Sequence, residues 1–172
     1  MYCRAIAHFP HIARSSLHIM STAHLLLCHT PPHHLPLMAQ RAPQHHFYVH
    51  YDAKSDAGGI AFLHGLPNVS VLPQRIDFRW GGFSMIEATL ALMQAALAQP
   101  QHQYFHLMSG DCLPLQTPET IERQMAAAGA GCLFLSCENV PRLRYRVRFS
   151  LPHADTSWQR SLTGKCLTKA AQ

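Results

Sequence analysis

The chain has 172 residues, 48% of them apolar and only 13% charged, enough core material for one folded domain and too little length for two comfortable ones. Disorder of the whole chain is excluded by that balance. A net charge of +5 is unevenly spread: no carboxylate precedes Asp52, while seven of the fourteen Lys and Arg lie between Arg142 and Lys169.

Residues 1–19 follow neither the helical nor the strand period, and Met20 directly precedes the apolar run Ser21-Thr22-Ala23-His24-Leu25-Leu26-Leu27-Cys28. Residues 1–19 are therefore expected to be a start-site extension, with the domain occupying 20–172. The run from Ser21 reads as a buried strand. After Pro31 a weak helix is expected, interrupted near Pro36. His46-Phe47-Tyr48-Val49-His50-Tyr51, Val69-Ser70-Val71-Leu72 and Tyr104-Phe105-His106-Leu107-Met108 are short and rich in aromatic, Leu or Val residues, as is Cys132-Leu133-Phe134-Leu135-Ser136. All four read as strands.

Ser84 followed by Glu87 has the spacing of a capping box, and Ile86, Leu90, Met93 and Leu97 then recur on one helical face, predicting an amphipathic helix. Thr117 as N-cap, Pro118 at the first helical position and Gly129 beyond the end predict a second helix over 118–128. Alternation of strand and helix predicts an α/β fold with a doubly wound, mainly parallel sheet. Ligands of such sheets bind beyond the carboxyl ends of the strands. That places attention on His29-Thr30-Pro31, Asp52-Ala53-Lys54-Ser55 and Ser109-Gly110-Asp111-Cys112-Leu113-Pro114.

Each constellation admits a bland alternative. Asp52 suits a nucleotide's uracil or ribose edge, or is an ordinary turn carboxylate. Trp80-Gly81-Gly82 is a ligand platform at a helix N-terminus or a tight packing corner. Asp111 is a cleft carboxylate or a local cap of neighbouring amides. No D-x-D pair is present to hold a divalent cation, and the spacing matches neither a Walker loop nor a dinucleotide fingerprint. The fourteen His, including His33-His34, His45-His46 and the His102/His106 pair, lack partners at established ligand spacing, so no metal site is expected.

Arg142, Arg144, Arg146 and Arg148 alternate with Leu143, Tyr145, Val147 and Phe149, the pattern of a strand with one basic face. It is a charge-protected edge strand, or the surface of an anion- or nucleic-acid-binding module. Six Cys without a C-x-x-C spacing read as reduced thiols. No stretch approaches the roughly 20 apolar residues of a membrane span, and the start lacks the apolar block of a secretory signal. A cytoplasmic location is the resulting expectation, with peripheral contact at the inner membrane as a further option.

Three blocks together carry a resemblance: Phe47-Tyr48-Val49-His50-Tyr51-Asp52-Ala53-Lys54-Ser55, the Trp80-Gly81-Gly82-Phe83-Ser84 turn into Ala88-Thr89-Leu90, and Tyr104-Phe105-His106-Leu107-Met108-Ser109-Gly110-Asp111-Cys112-Leu113-Pro114-Leu115. In order and spacing they resemble the signature blocks of the core-2/I-branching N-acetylglucosaminyltransferase and peptide O-xylosyltransferase family, glycosyltransferase family 14. The similarity extends from about Ser21 to at least Glu138.

That resemblance implies a GT-A-type, Rossmann-like nucleotide-sugar domain, inverting transfer of N-acetylglucosamine or xylose from a UDP-sugar to a glycan or hydroxyl acceptor, and no metal or other cofactor. Carried over by position, Asp52 contacts the uridine, the backbone around His29 and Thr30 lines the same pocket, and Asp111 organises the loop at the cleft. The Trp80-Gly81-Gly82 turn is mainly architectural. Glu138 is the candidate acceptor-site carboxylate and base, with Arg144 and Arg146 holding the acceptor. Nucleic acid is not an expected partner. Family members continue with a further segment that supplies more strands, a second acidic motif and the basic residues that neutralise the UDP pyrophosphate. The expectation is therefore the N-terminal part of such a domain, its sheet incomplete at the C-terminus and its own turnover weak or nil.

Overall fold

The computed structural model describes residues 21–128, 156, 158 and 161–171. In chain order these form β1 (Ser21–Cys28), α1 (Leu35–Arg41), β2 (His46–Tyr51), a 3-10 helix (Ala57–Leu63), β3 (Val69–Val71), α2 (Phe83–Leu97), β4 (His102–Ser109), α3 (Pro118–Ala128) and α4 (Leu162–Ala171). The expected start-site extension and the fifth strand over 132–136 lie outside the described residues.

The four strands form one sheet in the order β3-β2-β1-β4, with every neighbouring pair parallel. The expected α/β, doubly wound parallel sheet is thus the observed one. Its central strand is β1, which pairs over Ala23–Cys28 with β2 and along almost its whole length with β4. Both faces of β1 are covered, which is why its sequence is a continuous apolar run rather than an alternating one. On one face Leu26 and Cys28 pack with Leu35 and Ala39 of α1, Ile60 and Leu63 of the 3-10 helix, and Phe47, Val49 and Tyr51 of β2. On the other, Ala23 and Leu25 pack with Tyr48, Leu72, and Leu92 and Ala96 of α2. Leu25, Leu26, Leu35 and Leu92 are wholly enclosed, each burial contributing about 1.5–3 kcal/mol.

Three local expectations are corrected. Pro36 does not interrupt α1; it sits in the first turn, where its missing N–H has no helical acceptor to lose. No capping box forms at α2: Gly82 is the N-cap without a side-chain cap bond, and the Ser84 hydroxyl instead accepts the Arg79 N–H at 2.9 Å. The buried stripe of α2 is Ser84, Ala88, Leu92 and Ala96, whereas Ile86, Leu90, Met93 and Leu97 are exposed. Small residues on the inner stripe let the helix axis approach the sheet closely, and that selects the Ala-rich face over the bulkier one. At α3 the Thr117 hydroxyl does accept the Thr120 N–H, at 3.4 Å.

β4 starts two residues earlier than Tyr104 and contains an irregularity: Ser21 aligns with His102 but Thr22 with Tyr104, leaving Gln103 as an extra residue. Such a bulge breaks strict alternation. His102 therefore faces the α2 side, bonded to Ser21 Oγ at 2.9 Å and Tyr48 Oη at 2.9 Å, while His106 faces the α1 side.

Candidate functional site

The chain steps from β1 outward to β2 and β3, then returns to the far side of β1 as β4, so the gap between β1 and β4 is the sheet's topological switch point. Crevices beyond the carboxyl ends of strands at such points are the ordinary ligand sites of open parallel sheets. His29 and Thr30 leave β1 here and Gly110 and Asp111 leave β4. The Gly110 N–H donates to Leu27 O at 2.8 Å, and a Cβ at Gly110 would sit 2.6 Å from Cys28 Sγ. Only glycine lets the two strand ends approach this closely. As a result the Thr30 hydroxyl donates to Asp111 Oδ1 at 3.2 Å. Burial, and then the nearby Asp111, push the Cys28 thiol up to about 12, so it stays protonated and chemically quiet.

At the end of β2, Asp52 is buried to 3% exposure. Its N–H donates to Cys28 O at 2.8 Å, Oδ1 accepts the Lys54 N–H at 3.0 Å, and Oδ2 pairs with Lys54 Nζ at 3.0 Å. The local turn geometry is thus realised, and it fixes the carboxylate beside the switch point. The Ser55 hydroxyl donates to His29 O at 2.6 Å, tying the β2 turn to the β1 turn.

Sequence reasoning missed the residue that braces this turn. Arg75 donates to Tyr51 O at 3.1 Å and to the carbonyls of Asp52 and Ser55, with its guanidinium 5.3 Å from the Tyr51 ring centroid. No periodicity marks Arg75, because its partners lie 20–24 residues away. His50, fully buried behind it, accepts the Ile76 N–H on Nε2 at 3.0 Å.

An ionic bridge sits beside the turn. Lys54 Nζ donates to Phe78 O at 2.7 Å and to Asp77 Oδ1, while Asp77 Oδ2 faces Arg79 Nη2 at 3.4 Å. Hydrogen bonding from Lys54 is the main cause that holds the Asp77 carboxyl below its ordinary range. Burial would lower Lys54, but its bonds to Asp77 and Asp52 outweigh that and raise it. The chain then turns through Arg79, Trp80, Gly81 and Gly82, closed by the Gly82 N–H on Arg79 O at 2.9 Å. Gly81 has φ of 77°, a conformation glycine takes without steric cost. Trp80 is 78% exposed, so the glycines shape the turn and the indole does not fill a core.

His29, Thr30, Asp52 and Asp111 are therefore brought to one end of the sheet, as their sequence positions implied. Glu138, Arg144 and Arg146 lie outside the described residues, as does the basic stretch 142–148 on which the alternative of an anion- or nucleic-acid-binding module rests. No group of three or more His, Cys, Asp or Glu among the described residues is arranged to hold a metal ion. No described helix is long and apolar enough to cross a membrane.

Several histidines do assemble, through hydrogen bonds between distant elements that spacing along the chain conceals. Glu122 of α3 accepts from His45 Nε2 at 2.7 Å. His45 Nδ1 is then left to accept from His24 Nε2 at 2.9 Å, and His24 Nδ1 to accept from His106 Nδ1 at 3.3 Å. One donor direction satisfies every link with all three rings neutral. Burial first, and then the neighbouring His45 and His106, hold His24 down to about 3.

A family model described as Core-2/I-Branching enzyme matches residues 23–159. No curated protein matches the chain.

Proposed function

Because the chain belongs to the core-2/I-branching enzyme family of glycosyltransferases, we propose that it transfers N-acetylglucosamine or xylose from a UDP-sugar to a glycan or other hydroxyl acceptor, with inversion and without a divalent cation. The observation that carries the reading is the convergence of His29, Thr30, Asp52 and Asp111 on the switch point between β1 and β4.

In this reading the buried Asp52 carboxylate meets the uridine, held at a fixed position by Lys54 and by the Arg75 brace on the turn carbonyls. The backbone at His29 and Thr30 forms the adjoining wall, and Asp111 holds the loop after β4 against Thr30. Inversion requires a base that removes the acceptor proton as the anomeric carbon gains positive charge. Glu138 fills that role, with Arg144 and Arg146 beside the acceptor. The proposed setting is the cytoplasmic side of a membrane where surface polysaccharide is built.

Calorimetric titration of the 172-residue chain with UDP, UDP-N-acetylglucosamine and UDP-xylose, with and without a chelator, tests this. Binding of UDP and of one sugar conjugate in chelator, abolished by Asp52→Asn, is the expected outcome. A folded chain that gives no heat with any of the three would sink the reading, and binding that needs a divalent ion would overturn its metal independence.

A further inference from the structure

Glu122 of α3, His45, His24 and His106 form a hydrogen-bonded row of one carboxylate and three imidazoles that the strand-end site does not use. His24 and His45 are buried, the Glu122 side chain is 20% exposed, and His106 is half-buried. No described residue of α3 is fully buried. Among the described residues, the side-chain hydrogen bonds that reach α3 from other elements converge on Glu122, from Gln44 at 3.0 Å and from His45 at 2.7 Å. The titratable groups facing His45 are His24 of β1, with His106 of β4 behind it, and Glu122 of α3. Glu119 of α3 lies within electrostatic reach of His45, with Arg123 acting on Glu119 in turn. His46 points to the other face, bonded to Ser70 Oγ at 2.8 Å.

The number of protons this row can hold follows from its links. With all rings neutral, His106 Nδ1–H, His24 Nε2–H and His45 Nε2–H each donate along the row toward Glu122. One further proton fits without losing a link. If it enters at His106 Nε2, the Nδ1 proton of His106 passes to His24 Nδ1, and the Nε2 proton of His24 passes to His45 Nδ1. Each proton crosses one existing hydrogen bond, no ring turns, and His45 ends with a proton on both nitrogens. A second proton fits nowhere, because one link would then set N–H against N–H. A charge lodged on His24 or His106 would also keep the links, but burial holds both of those rings below the ordinary imidazole value, and His45 is the ring that lies against a carboxylate. We propose that this row is a one-proton clasp: acidification places a single proton on His45, turns its contact with Glu122 into an ion pair, and fastens α3 more firmly to the sheet. The loop that leaves Asp111 runs directly into α3, so the clasp also anchors the far end of that loop.

The test is a titration of the full-length chain from pH 8 to 5, following the ring nitrogens of the three histidines by NMR and the protection of the α3 amides by hydrogen exchange. His45 is expected to gain its second N–H while His24 stays uncharged and trades Nε2–H for Nδ1–H, and protection across α3 is expected to rise severalfold over the same interval. In Glu122→Gln the amide oxygen still accepts from His45, but the cation loses its counter-ion. The His24 exchange should therefore move to lower pH, and the gain in α3 protection should disappear. His24 keeping Nε2–H throughout, the charge settling on His24 or His106, or α3 protection that falls or stays level as His45 charges would each overturn the proposal. So would a Glu122→Gln variant that responds to pH as the parent does. The ring-nitrogen reading on the parent needs no substitution, so it decides the matter even where Glu122→Gln loosens α3.

Discussion

Gly110 is where the site is most sensitive to a single atom. Its missing side chain leaves room for Cys28 Sγ, which a Cβ would approach to 2.6 Å, with Cys28 Cβ next at 3.0 Å. Gly110→Ala should therefore destabilise the protein by about 1–3 kcal/mol through overpacking, read as a lowered midpoint in denaturant. Adding Cys28→Ala should recover part of that loss but not all of it, since the backbone and Cβ of residue 28 remain close. An undiminished penalty in the double variant would mean the sulfur is not the obstacle. His24 carries a second residue-level consequence. It is held at about 3 against an ordinary value of 6.5, so between those values the unfolded state binds the proton and the folded state does not. Its contribution is fully present above pH 6.5 and is lost progressively as the pH falls toward 3. Burial lowers His46, His50, His102 and His106 as well, which adds to the same acid limb. Unfolding free energy measured from pH 7 to 4 should fall steeply, and His24→Gln should flatten the slope. A limb identical to that of the parent would rule out His24 as a contributor.

Among the elements, α2 shows what pattern alone leaves undecided. Its extent and helical character follow from composition and from the glycines before it, yet two apolar stripes are available and periodicity favours the one with larger side chains. The sheet takes the other because Ala88 and Ala96 permit close approach, with Leu92 between them. Leu92→Ala should cost about 2–4 kcal/mol, whereas Leu90→Gln on the opposite stripe should change stability by less than about 0.5 kcal/mol. Equal effects at the two positions would contradict the observed facing. Strands β1, β2 and β4 were legible as apolar or aromatic runs, and α3 through Thr117 and Pro118. The 3-10 helix over Ala57–Leu63 was not, since its Gly-rich start reads as a loop and its Ile60 and Leu63 are recruited to the core only by contact with α1 and β2.

Across the molecule, the parallel order and the clustering of strand-end residues could be anticipated, because topology rules turn alternating elements into a sheet with a known ligand end. Thr30, Asp52 and Asp111 follow from that reasoning. Arg75, Asp77 and the chain from Glu122 through His45 and His24 to His106 do not, because each depends on contacts across 20 or more residues that no local pattern encodes. Ligand occupancy of the strand-end site couples to stability of the whole domain: saturation with UDP or its sugar conjugate at a hundredfold excess over its dissociation constant should add about 2.7 kcal/mol. A melting temperature that rises with UDP concentration in the parent, and stays flat in Asp52→Asn, is the expected record; a rise in both would place the ligand elsewhere. The extra residue in β4 has a reach of its own. By reversing the facing of one strand partway along, Gln103 makes β4 a rivet through the sheet: His102 fastens it to Ser21 and Tyr48 on one side, His106 to the histidine chain and hence to α3 on the other. Removing Gln103 would restore the alternation and pull His102 through to the wrong layer, so that a deletion at a solvent-facing position would unfasten the two layers from each other.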